Sequence, residues 1–227
     1  SNGTKPGSWS KNGRLQTSRH ITSVYISPSH GNDNAGCGTR SGNASADCKT
    51  LQYAIARNSH DSYKFILAKG TYNKSQPMRF TRDNMVLDGG DDGSSSKESS
   101  STSFVKIMCM TKVCLEALGT DKLPSISNIF FQAESASEER RVAIVASGSS
   151  VGTRGATLTN CTFRSFTDSA VWLQSISSPI VISSSYFIEN SAFQVGSLDG
   201  GALRLDSLPD VFITDTVFLR NEAGSSG

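Results

Sequence analysis

The chain has 227 residues, 22 basic and 20 acidic side chains, and a formal net charge of +2. That balance gives no electrostatic reason to expect nucleic acid or an anionic membrane as a partner, and no apolar run approaches the ~20 residues of a membrane span. Apolar residues make up 36%, low for a globular domain, which argues against one thick core and for many short strands and turns.

Residues 1–20 are polar and basic, with Trp9 and Leu15 as their large apolar side chains, and read as an arm or linker. No signal peptide is visible from Ser1, as in a mature form. Residues 21–227 read as one all-β unit. Its first strand is Val24–Ile26, followed by a glycine-rich turn over 31–42. Thr50–Ala56 is the one convincing helix: Thr50 is placed to cap it, and Leu51, Ala54 and Ile55 fall on one face. Phe65–Tyr72 reads as a strand ending in a glycine turn, and Met85–Gly90 repeats that design. The serine-rich run 91–103 reads as a protruding loop. Strands resume at Phe104–Cys109, and 134–141 is a second polar excursion.

The second half carries an internal repeat. Ile126–Phe131, Leu158–Phe163, Ile182–Phe187 and Ile213–Phe218 each begin with an aliphatic residue, continue with Ser or Thr, and close on Phe. A second strand is interleaved at Val142–Ser147, Ala170–Ser175 and Ala202–Ser207. Recurrence at 20–50 residues marks a stacked array, and no helix intervenes as a βαβ unit or leucine-rich repeat would require. The reading is a right-handed parallel β-helix (a solenoid) with a short N-terminal capping helix. Its ladder is expected to hold Phe131, Phe163, Phe187 and Phe218. A β-sandwich is the alternative, but it has no reason to repeat one aliphatic-to-Phe spacing four times.

Five cysteines are present. Cys37 and Cys48 bracket a Gly- and Ser-rich loop, and Cys109 and Cys114 are close in sequence. Both spacings suit local disulfides, with reduced thiols as the alternative. Cys161 is left over and reads as a buried thiol. With no CxxC and no histidine near the cysteines, zinc is a poor reading. Sequons at Asn2, Asn43, Asn73 and Asn160 are candidate glycosylation sites, and Asn160 is alternatively a polar corner of the repeat.

Phe187–Asn190, Gly200–Leu203 and Phe218–Asn221 resemble the FxxN and GGA-[ILV] repeats of chlamydial polymorphic outer-membrane proteins and of similar algal and protist surface proteins. Phe166 stands where the repeat of Phe163 would carry Asn. The glycine-rich opening, the helix Thr50–Ala56 and Gly70–Tyr72, in that order, resemble the opening of pectin-lyase-like β-helices. The resemblance implies a structural or adhesive role, extracellular or at the cell surface.

Glycoside hydrolysis needs two carboxylates about 5–10 Å apart. Asp206 and Asp215 are candidates if they lie on neighbouring strands, with Asp199 in the loop before, but no other coil adds an aligned acid. Ser147, Ser175 and Ser207 are expected to stack, and Asn128 and Asn160 to precede Asp215 in register. His20, His30 and His60 lie off the repeats. Arg204 beside Asp206 is either a lyase base or an exposed ion pair. The later active-site signatures of pectin methylesterases are missing. Asp88–Gly93 reads as a hydrophilic turn rather than a calcium site, so no cofactor or metal is expected. Trp172 should face outward, opposite Val171 and Leu173. The expectation is therefore a non-catalytic structural or adhesive module of a fibre or surface layer, with a carbohydrate-binding module or a polysaccharide lyase or hydrolase as alternatives. The expected partners are other copies or neighbouring subunits, and glycans. The final coil, ending in 221–227, is expected either to continue in further repeats or to be covered by another subunit.

Overall fold

The computed structural model describes residues 22–38, 47–57, 63–80, 85–90, 104–118, 125–134, 140–148, 157–192 and 200–223. Strand β1 (Thr22–Ile26) is followed by the one described helix, α1 (Leu51–Arg57). The first full coil is β2 (Tyr63–Leu67), β3 (Gly70–Lys74) and β4 (Met78–Arg79). The second is β5 (Val86–Asp88), β6 (Val105–Cys109) and β7 (Val113–Leu118), and the third β8 (Ser125–Ser127), β9 (Ile129–Ala133) and β10 (Val142–Ser147). The fourth is β11 (Thr157–Thr159), β12 (Thr162–Arg164) and β13 (Val171–Gln174), and the fifth β14 (Ile180–Ser183), β15 (Tyr186–Ile188) and β16 (Leu203–Asp206). Strands β17 (Val211–Thr214) and β18 (Val217–Leu219) open the next.

Each strand pairs in parallel with its counterpart one coil away, which builds three sheets. Sheet I has seven strands (β1, β2, β5, β8, β11, β14, β17), sheet II six (β3, β6, β9, β12, β15, β18) and sheet III five (β4, β7, β10, β13, β16). The architecture is a right-handed parallel β-helix, the hand that crossovers between parallel strands take. No helix among the described residues is long and apolar enough to cross a membrane.

Alternation along each short strand sends every second side chain inward. On sheet I the inward rank is Val24, Phe65, Leu87, Ile126, Leu158, Ile182 and Ile213. On sheet III it is Met78, Leu115, Ile144, Val171 and Leu203. On sheet II it is Tyr72, Ile107, Phe131, Phe163, Phe187 and Phe218. The four phenylalanines predicted from the repeat form one stack, with successive centroids 5.3, 4.8 and 5.1 Å apart. Ile213 and Phe218, on the last described rung, are 41% and 47% exposed.

The corners explain the polar residues of the repeat. Between sheets I and II the chain turns through a single left-handed residue: Asn128, Asn160, Ser184 or Asp215, with φ from 49° to 59°. Short polar side chains tolerate this region better than other non-glycine residues. Gly89 holds the same rank one coil earlier, where a Cβ would collide with the Asn128 carbonyl.

Asn190, the Asn of FxxN, is fully buried. Its Oδ1 accepts from the Phe166 N–H at 3.1 Å, and its Nδ2 donates to the Phe163 carbonyl at 3.1 Å and to Asn221 Oδ1 at 2.8 Å. Asn221 treats the next coil alike, accepting from the Asn190 N–H and donating to the Phe187 carbonyl. Each Asn therefore satisfies the corner of the coil before its own. The fourth coil carries Phe166 at that position, and its own corner is still bonded, by Asn190 of the fifth coil. In Gly200-Gly201-Ala202, Gly201 lies between the carbonyls of Asn190 and Glu222, where a Cβ has no room.

At the N-terminal end, Thr50 Oγ1 accepts from the Tyr53 N–H at 3.2 Å, the predicted cap. Asp33 holds Thr50 in turn, accepting from its N–H at 2.9 Å and its hydroxyl at 2.7 Å. Leu51 and Ala54 are buried under the cap. The hydroxyl of Tyr72 reaches the carbonyls of Ile26 and Ala68, each at 2.9 Å, which gives the Gly-Thr-Tyr turn its purpose.

Candidate functional site

The outward rank of sheet III runs Arg79, Glu116, Val145, Trp172 and Arg204 in register. Trp172 points outward, as the alternation predicts, and is half-buried. Its indole N–H donates to Asp206 Oδ2 at 3.0 Å, and Arg204 Nε donates to the same oxygen at 2.8 Å. The Arg204 guanidinium lies 4.3 Å from the Trp172 ring centroid. One carboxylate, one cation and one ring thus lock each other. Glu116, paired with Arg79 at 2.9 Å, is the other strand carboxylate of this face among the described residues. It sits three rungs from the rung of Asp206, roughly 14 Å at ~4.8 Å per strand. That exceeds the separation hydrolysis requires.

A second place was not anticipated from the sequence. At the corner of sheets I and II lies a groove of about 520 Å³ lined by Lys69, Phe104, Asn128, Phe130, Asn160 and Thr162, among others. Phe130 faces outward because Ile129, Phe131 and Ala133 take the inward positions of β9. Phe104 meets it edge-on, with centroids 5.5 Å apart, and Lys106 Nζ is 5.6 Å from the Phe130 centroid. The groove wall is a hydrogen-bonded ladder: Asn160 Nδ2 donates to Asn128 Oδ1, and Asn128 Nδ2 to Asp88 Oδ1, each at 2.8 Å. Asp88 also accepts from Ser127 Oγ at 2.9 Å and pairs with Lys64 Nζ at 2.7 Å. Burial works against its charge, but the hydrogen bonds from Lys64, Asn128 and Ser127 outweigh burial and hold its carboxyl below the usual range.

Several expectations need correction. Asp206 ends a strand of sheet III and Asp215 stands at the corner after β17 in sheet I, so they are not on neighbouring strands. Ser147 pairs with Gln174, not with Ser175. The serine alignment was off by one residue, which would have set the buried Ala146 against the exposed Gln174. Asn128, Asn160 and Asp215 do share a corner rank. Cys37–Cys48 and Cys109–Cys114 are bridged, with Cα atoms 4.8 and 5.3 Å apart. Cys161 is a buried thiol, and burial pushes its pKa up to about 12. The Asn73 and Asn160 side chains are exposed, and His30 is an exposed partner of Ser29. Asn2, Asn43, His20, His60, Asp91, Asp92 and Asp199 lie outside the described residues, as does the 1–20 arm.

Ladders, corner residues and capping helix define a right-handed parallel β-helix with two furnished outer faces. Within that class the chain belongs to the family described as "Protein of unknown function (DUF1565)", whose model matches residues 31–196. No curated protein matches the chain. Among solved structures it is similar to pectin methylesterase PemA from Erwinia chrysanthemi, with a TM-score of 0.49 and 14% identity, over 86% of this chain and 66% of that one. The chain thus spans about two thirds of the length of that enzyme.

Proposed function

We propose that this chain is a non-catalytic structural module of a secreted or cell-surface protein. The observation that carries this reading is the unbroken stack. The inward ladders run through every coil, and the tight turns between sheets I and II are locked by left-handed polar residues and backbone contacts. Such a stack is a stiff rod with flat sides, suited to presenting surfaces. The two disulfides support folding in an oxidising compartment. The sheet III cluster supports the same reading, since its Arg204 and Asp206 are engaged with each other and with Trp172. In this role the partners are neighbouring subunits of a surface assembly.

The test is incubation with pectin, pectate and related polymers, with products followed by reducing-end and methanol release. No turnover is expected. Turnover lost in Asp206→Ala or Arg204→Ala would overturn the proposal. Light scattering across a concentration series tests the partners: self-association is expected, and a strict 24.2 kDa monomer at every concentration would remove other copies from the account.

A further inference from the structure

We infer that the Cys109–Cys114 bridge is a redox-active site: small thiols reduce it reversibly while Cys37–Cys48 stays closed, and Cys109 is left as a thiolate held by Lys74 and Arg141. This goes beyond the scaffold role, which needs both bridges only as staples.

The argument starts from charge inside the coil. Lys74 and Arg141 are the buried cations of the described residues, 6% and 5% exposed. Both converge on Cys109. Lys74 stands beside it in the inward rank of sheet II, one strand away at ~4.8 Å. Arg141 comes from the corner before β10, and its Nη1 donates to the carbonyls of Cys109 at 3.1 Å and Glu134 at 2.8 Å. Its Nε is buried and has no partner among the described residues. The described carboxylates in range do not neutralise the two cations. Glu134 Oε2 is 3.9 Å from Arg141, and its side chain is 41% exposed. Asp33, which opposes the effect of burial on Lys74, accepts from the N–H groups of Lys49 and Thr50 and from the Thr50 hydroxyl. A buried cation without a close counter-charge is costly.

Reduction supplies the counter-charge. Two thiol molecules pass two electrons to the bridge. The protein S–S bond breaks and an S–S bond forms between the two reductant sulfurs. Of the two protons they release, one goes to Cys114 and one to solvent, which leaves Cys109 as a thiolate. A disulfide has no charge, so only the reduced form gains from the cations. Stabilising the reduced form makes a disulfide easier to reduce. The gain is mutual: burial holds the pKa of Lys74 down at about 8, and a thiolate that raises it is itself favoured by the same free energy. The other cysteines lack this setting. The Cys161 thiol is as buried, and burial pushes its pKa up to about 12. Cys48 follows the buried Asp47 in the chain, and a carboxylate there repels a thiolate. Access needs only local opening of the turn 110–112 that joins the bridged strands, where Met110 is 43% exposed.

The experiment equilibrates the native whole chain without oxygen in glutathione buffers of graded ratio at pH 7. After an acid quench, alkylation and peptide mass mapping read each bridge separately. Cys109–Cys114 is expected to be half-reduced under conditions about tenfold less reducing than Cys37–Cys48 requires, or ~30 mV. Lys74→Met is expected to remove most of that difference. A second measurement needs no variant: with Cys109–Cys114 alone reduced, the ultraviolet absorbance of a thiolate is expected well before Cys161 titrates near 12. Reduction of both bridges together, or of Cys37–Cys48 first, would overturn the inference. So would a difference unchanged by Lys74→Met, or no thiolate signal before that of Cys161. None of these results touches the scaffold reading.

Discussion

Lys74 is the most exposed of the structure's claims to measurement, although its side chain is nearly hidden. It projects inward from β3, is only 6% exposed, and shares a rank with Cys109 and Ala133. Burial lowers its pKa from 10.5 to about 8, with Asp33 opposing part of the effect. The consequence for stability has a definite sign. Between pH 8 and 10.5 the unfolded chain carries the Lys74 proton and the folded chain does not, so stability rises with pH across that window. Below pH 8 both states carry the proton, and the full cost of burying the charge is present. From 10.5 to about 8, at about 1.4 kcal/mol per pH unit, that cost is on the order of 3 kcal/mol. Lys74→Met keeps the length of the side chain and removes the charge. Urea unfolding of both proteins from pH 7 to 10.5 should show the variant more stable by up to ~3 kcal/mol at pH 7, with the gap closing above pH 8. The comparison cancels the other groups that titrate in this range. Parallel pH profiles, or a variant less stable at pH 7, would refute the reasoning.

Phe163→Ala removes the ring between Phe131 and Phe187, and should cost about 3–5 kcal/mol in urea unfolding; a loss below ~1 kcal/mol would mean that the stack is not a packed core. Asn190→Ala strands the Phe163 carbonyl and the Phe166 N–H in the interior, for a loss of about 2–4 kcal/mol at ~1–3 kcal/mol per unsatisfied group. Asn221→Ala should cost less, because its corner is partly open to water. Thiol titration of unreduced protein should give no rapid reaction in the native state and one thiol per chain in denaturant, from Cys161 with its pKa near 12; three or more thiols in denaturant would contradict the two bridges.

Much of the fold was legible because a solenoid writes its register into the sequence. The aliphatic-to-Phe interval repeats because each member occupies the same inward rank, and ranks cannot slip by one residue without turning core to solvent. The serine alignment failed for the same physical reason. Val142–Ser147 and Ala170–Ser175 look alike when aligned on their serines, but Ser147 is still on its strand while Ser175 is already the corner, with φ 54°. Burial of Ala146 and Leu173, not similarity of the endings, decides the pairing.

The outer faces were harder to read because nothing in their spacing is forced. Trp172 was legible as outward from alternation alone, but its partners Arg204 and Asp206 lie 32 and 34 residues on and meet it only once the coils are in register. The groove needed a further step. Ile129-Phe130-Phe131 shows that one of two rings must face solvent, and Asn128 with Asn160 shows a shared corner, yet Phe104 joins them only across the β6–β9 pairing. The Asn of FxxN gives the clearest case of meaning displaced from its position. Asn190 satisfies the corner of the fourth coil, not its own, so the coil that carries Phe166 in place of Asn still has its corner bonded. In a stacked chain the physical role of a side chain belongs to the rung it reaches. Motif departures should therefore be judged against the neighbouring coil before they are counted against kinship.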